Sequence, residues 1–167
     1  TYQNENGSAV FRADGTFDVV LETSSEDAGH LCRAFCRAFY YEDLTFASQA
    51  DVTSASAVQT YEGAPVVNCT VTFSISGGRV KRVSGVHLPR EGELSGTSDT
   101  LTALGALNAL LDTIRGGAVV TEVRDLYLCY ELQSTTAAPM SLVPAWCVMA
   151  DTENYYVNCS TGQVSSV

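Results

Sequence analysis

Basic residues are scarce in this chain: nine Lys and Arg occur among 167 residues, and Lys81 is the sole lysine. Their one cluster, Arg79, Lys81 and Arg82, neutralises too few phosphates for a nucleic-acid partner, and the same shortage disfavours an anionic membrane surface. Apolar runs are short, well below the ~20 residues that span a bilayer. No charged segment followed by an apolar one opens the chain. Spacing of the C-x-x-C kind is missing, so a zinc knuckle or a thioredoxin-type redox site has no support. G-x-S-x-G, H-E-x-x-H, P-loop and dinucleotide fingerprints are missing too. The acids near Asp14 and Asp18 do not make the ligand series of a calcium loop. Histidine is limited to His30 and His87.

What is present is globular in kind. The apolar fraction is 46% and the charged fraction 17%, which suits a buried core and argues against disorder. Nineteen Asp and Glu bring the formal charge to −10; they are scattered at turns and helix starts, as solvated surface charge is. The chain begins at Thr1, and TYQNENGS reads as an exposed polar lead-in. The expectation is a trimmed ectodomain whose anchor or signal lay upstream.

Residues 8–22 read as a hairpin about Asp14-Gly15, the pair favoured where a tight turn needs positive φ. Phe17, Val19 and Leu21 alternate with polar neighbours. A first helix is predicted from a cap at Ser24 to about Glu42, with an acidic first turn at Glu26 and Asp27 and an apolar stripe at 28, 31, 32, 35 and 39. Strands follow, most clearly APVVNCTVTFSIS, with Val67, Cys69, Val71, Phe73 and Ile75 on one face and Asn68, Thr70, Thr72, Ser74 and Ser76 on the other. Gly77-Gly78 turns this strand into the next. PREGELSGTS is a polar loop and the predicted unit boundary. The second helix carries Leu101, Leu104, Leu107, Leu111 and Ile114 at helical spacing, with Ser98 or Asp99 as cap and Gly116 as stop. After it come a strand with Leu126, Leu128, Tyr130 and Leu132 on one face, the doubly apolar LVPAWCVMA, and NYYVNCS with a turn at Thr161-Gly162. A strand apolar on both faces is central or meets a partner.

The two halves share a pattern of one helix followed by three antiparallel strands. The expected fold is therefore α+β, in two tandem helix-plus-antiparallel-sheet units at 8–90 and 91–167, with the helices on one face of the sheet and a common core. Each half alone is a marginal core.

The six cysteines fall mainly on apolar faces, where they act as small hydrophobes; Cys129 and Cys147, on successive strands, are the pair best placed for a disulfide. A thiol enzyme pairing a cysteine with His30 or His87 is a weak reading, because no sharp turn exposes a thiol. No catalytic, cofactor-binding or metal residue is assigned. Asn68-Cys69-Thr70 and Asn158-Cys159-Ser160 match the glycosylation acceptor pattern and fall at equivalent places in the two halves. Aromatic residues gather near the end. Trp146 is read as packing, and Tyr127, Tyr155 and Tyr156 form a candidate partner face.

The C-terminal stretch YELQ…LVPAWCV…YYVNCSTGQV, preceded by TALGALNALLDTI and VRDLYLCYEL, resembles the signature of the YycH/YycI regulatory proteins and of related PepSY-like modules. That resemblance implies an extracytoplasmic, membrane-anchored α+β module. It implies action through protein contacts, as an accessory regulator of an envelope sensor kinase, without catalysis or cofactor. The membrane would be met only through an N-terminal anchor absent from this chain. The alternative is a PepSY-like binding or inhibitory domain acting on a peptidase or a small envelope ligand.

Overall fold

Strict alternation over Cys69–Ile75 makes a strand with one dry and one wet face, and the computed structural model places that strand in the interior of the first half's sheet, paired on both edges. Residues 1–22, 26–49, 52–89, 100–115, 120–135, 138–151 and 153–166 are described. In chain order the elements are β1 (Tyr2–Asn4), β2 (Gly7–Phe11), β3 (Thr16–Leu21), α1 (Ala28–Phe39), β4 (Tyr41–Gln49), β5 (Val52–Tyr61), β6 (Ala64–Ser76) and β7 (Arg79–Val86). They continue with α2 (Ala103–Ile114), β8 (Val123–Thr135), β9 (Ala138–Ala150), β10 (Asn154–Asn158) and β11 (Val164–Ser166). Contacts divide the chain into two compact units, Thr1–Glu91 and Gly92–Val167.

The expected α+β class, in two tandem helix-plus-antiparallel-sheet units, is overturned. Among the described residues eleven strands stand against two helices of 12 residues each, so the chain is predominantly β. Three causes are visible. Within the polar lead-in TYQNENGS, Tyr2–Asn4 form strand β1, paired antiparallel with β2 and exposed along its length. The first helix stops at Phe39, short of Glu42, because Tyr40 turns left-handed (φ 61°) and its N–H donates to the Cys36 carbonyl. That αL cap ends the helix, and the β-prone residues that follow pair as β4 with β5. Finally, β6, β8 and β9 each run 13 residues, about twice an ordinary strand.

In the first unit the strands pair antiparallel in the order β1-β2-β3-β7-β6-β5-β4. The β2–β3 turn is built as its sequence implies: Gly15 has φ 83°, and Asp14 Oδ1 accepts from the N–H and hydroxyl of Thr16 at 3.0 and 2.6 Å. Both glycines of Gly77-Gly78 have positive φ, the requirement of a two-residue hairpin turn. Cys69, Val71, Phe73 and Ile75 are buried as the alternation demands, but Val66 is buried in place of Val67. The register slips between Val58 and Gln59 of β5, and such a bulge moves the next residues to the other face.

Against the dry face lies α1. Asp27 is its N-cap, accepting from the His30 N–H at 3.1 Å, and the Ala28 N–H donates to the Gly78 carbonyl at 3.1 Å. The cap expected at Ser24 lies outside the described residues. Ala28, Cys32 and Cys36 are buried with Phe17, Tyr41, Val71, Phe73 and Val83, and Leu31 and Phe35 pack against them. Phe35 meets Phe73 edge to face at 5.5 Å.

In the second unit β8-β9-β10-β11 pair antiparallel, which makes the doubly apolar β9 an interior strand of that sheet. The α2 cap is Thr102, whose side chain accepts from the Gly105 N–H at 3.2 Å; Ser98, Asp99 and Gly116 lie outside the described residues, as does the polar loop 90–98. The helix entrance is pinned to the sheet. Leu101 N–H donates to the Cys159 carbonyl at 2.9 Å, and Trp146 Nε1 donates to the Leu101 carbonyl at 2.8 Å. The core beneath α2 is Ala106, Leu110, Val148, Ala150, Tyr155 and Val157.

Candidate functional site

Residues paired across antiparallel strands share a face, and this sorts the three candidate tyrosines. Tyr127 of β8 is paired with Cys147 of β9, and Cys147 with Tyr156 of β10. These three make one row across the sheet, with the Cys147 sulfur in hydrogen-bond reach of both phenols. Tyr155 is paired with Val148 and lies on the opposite face, buried in the core under α2, its hydroxyl donating to Glu153 Oε1 at 2.9 Å. Two of the three are thus brought together and the third is turned away. Adjacent residues of a strand always point to opposite faces, so Tyr155 and Tyr156 could have been separated from sequence alone.

Around that row the chemistry is quiet. All six cysteines are free thiols and buried, including Cys129 and Cys147; Cys129 is paired with Ala145, two residues out of step with Cys147, and its thiol donates to the Ala145 carbonyl at 3.3 Å. Burial pushes the Cys129 and Cys69 thiols up to about 12 and Cys32 up to about 11. It also raises Cys36, Cys147 and Cys159. A nucleophilic cysteine needs the reverse shift, and no imidazole is among the groups that perturb any of these thiols. Burial raises the carboxyl of Glu131. No three His, Cys, Asp or Glu side chains among the described residues are placed to hold a metal ion. Asn158 Oδ1 already accepts from the N–H groups of Ser160 and Thr161, so its carboxamide serves the last turn. A shallow pocket lies where β4 bulges, lined by Asp43, Ser56, Ala57, Val58 and Thr70; one carboxylate and two hydroxyls supply no acid–base pair.

The surface that stands out is the outer side of α2. Leu104 is 68% exposed and Leu111 51%, while Leu110 is 2% exposed. Seven residues are close to two helical turns, so Leu104 and Leu111 share one stripe facing away from the core. On β8, Leu128 is also exposed and pairs with Trp146, on the face that α2 covers. Of the five residues at helical spacing, Leu101, Leu107 and Ile114 pack against the core, while Leu104 and Leu111 do not. The signal was in the composition: between Ala103 and Ile114 only Asn108, Asp112 and Thr113 are polar, and a helix apolar nearly all round wants cover on more than one side.

No family model matches the chain, and no curated protein matches it. Among solved structures it is similar to the Bacillus megaterium YpeB C-terminal domain, at 14% identity with a TM-score of 0.49, over 91% of this chain and 76% of that chain.

Proposed function

We propose that this chain is a non-enzymatic, PepSY-like interaction module that works outside the cytoplasm by presenting an apolar helix face to a protein partner. The observation that carries the reading is the bare Leu104–Leu111 stripe of α2, on a helix whose entrance is fixed to the sheet by Trp146 and Cys159. A rigidly held apolar stripe loses little conformational freedom on binding, which favours contact. Support also comes from the thiols, which are buried and raised by that burial, and from the C-terminal signature LVPAWCV…YYVNCSTGQV.

The finer form of the reading is accessory regulation of an envelope sensor kinase. Its test is capture of such a kinase by the anchored full-length protein. Capture by the parent, and at least a tenfold weakening in the double variant Leu104→Glu with Leu111→Glu, is the expected result; charges placed in a desolvated contact cost about that much or more. A cytosolic location for the full-length protein, or kinase binding indifferent to both substitutions, would overturn it.

A further inference from the structure

Among the described residues one buried side-chain nitrogen or oxygen lacks a hydrogen-bond partner: Nδ1 of His87. A buried ring nitrogen without a partner calls for an explanation. His87 follows directly on β7, where the chain leaves the first unit. Its ring stands edge-on to Phe39 at 5.4 Å and lies tilted to Tyr41 at 6.2 Å. Its backbone N–H donates to the Gly15 carbonyl at 2.9 Å, and the Tyr41 hydroxyl donates to the Val86 carbonyl at 2.7 Å.

The next residue is clamped from inside. Gln59, only 1% exposed, accepts from the Leu88 N–H at 2.7 Å. It donates to the Leu88 carbonyl at 2.9 Å and to the Phe39 carbonyl at 3.4 Å. One buried carboxamide thus ties the outgoing strand end to the end of α1.

We propose that His87 and Gln59 form an acid-released latch, in which protonation of His87 drives its ring away from Phe39 and Tyr41 and frees Leu88 from Gln59. The neutral ring can leave Nδ1 without a proton at modest cost, whereas the imidazolium must carry an N–H there with no acceptor and a charge partly withdrawn from water. Among the described residues no charged side chain is a cause of the His87 shift. From β4 the titratable neighbour is Tyr41, and the groups that act on Tyr41 in turn are Cys69 of β6 and Cys36 of α1; all three are raised by burial and uncharged. In the β2–β3 turn the Asp14 carboxylate is occupied by Thr16. Burial alone accounts for the lowering of the His87 pKa from 6.5. Each unit of that lowering favours the open latch by about tenfold once the pH lies below both values.

The test uses the whole chain, with NMR titration of His87 and hydrogen exchange at the Leu88 amide, corrected for intrinsic exchange, from pH 7.5 to 4.5. Expected are a midpoint for His87 below the ordinary imidazole value and protection at Leu88 that falls about tenfold or more across that midpoint. His87→Phe, which keeps a ring against Phe39 and Tyr41, should hold protection flat over the same range. Gln59→Leu should lose protection at every pH. A His87 midpoint at or above 6.5 overturns the latch, as does parent Leu88 protection that does not follow that midpoint. Should the Phe variant fail to fold, the parent titration and exchange profile decide alone.

Discussion

Two helices of equal length close one face of each unit, and they do so by opposite means. In α1 the buried stripe is made of small residues, Ala28, Cys32 and Cys36, so the helix sits close to the sheet and larger side chains fill in from its flanks. Its outward side carries Arg33 and Arg37, and it needs no further cover. In α2 the buried residues are Ala106 and Leu110, yet leucines also line the far side. The lesson is that apolar periodicity marks how much of a helix shuns water. Which side the protein itself covers depends on where the entrance is anchored.

That contrast can be broken most sharply at adjacent leucines. Leu110→Ala should cost about 2–5 kcal/mol, the range for emptying a fully buried site, while Leu111→Ala should stay within about 0.5 kcal/mol. Urea unfolding of both variants checks this, and equal losses would mean that the outer stripe is covered. A middle-sized effect is expected at the helix entrances. Asp27→Ala should cost about 0.5–2 kcal/mol by removing the N-cap of α1, read from the same unfolding curves; a neutral result would mean that the Gly78 carbonyl alone fixes the first turn.

The smallest effect is one of pH, and it has opposite signs in the two units. His87 is lowered from 6.5 by burial, so its unfolded form binds more protons and the first unit loses stability as pH falls below 6.5. Glu131 is raised from 4.5 by burial, so its folded form binds more protons, and the second unit gains stability as pH falls toward 4.5. Asp14, Asp18 and Asp151 are lowered from 3.8 by their hydrogen bonds, chiefly to Thr16, Arg82 and Thr121, so their contributions fade only in stronger acid. Hydrogen exchange followed between pH 6.5 and 4.5 should therefore show protection falling in the first unit and rising in the second. A parallel change in both would contradict the assignment of these two groups.

Much of the sheet could be read from residue order. Asp14-Gly15 and Gly77-Gly78 announce their turns, and the dry face from Cys69 to Ile75 follows from alternation alone, because both depend on local rules. The swap of Val66 for Val67 could not be read, since the bulge lies in pairing with a different strand. The end of α1 was missed because Tyr40 gives no hint of a left-handed backbone, a conformation that costs most side chains energy. The predominance of strand was hidden by its length: a repeated helix-and-strands rhythm looks balanced until the strands are seen to run 13 residues. At the candidate surface the tyrosine row was half visible, through parity, whereas the exposure of Leu104 required knowing that Trp146 and Cys159 hold the helix entrance.

The hydrogen bond from Ala28 to the carbonyl of Gly78 gives the chain a schedule. During synthesis α1 leaves the ribosome well before the hairpin that completes its first turn exists. Until then the nascent helix has only its own Asp27 to cap it, and a helix of a dozen residues is marginal by itself. A stalled or truncated product ending before Gly78 would lack that acceptor, and with it Val80 and Val83 of the core beneath α1.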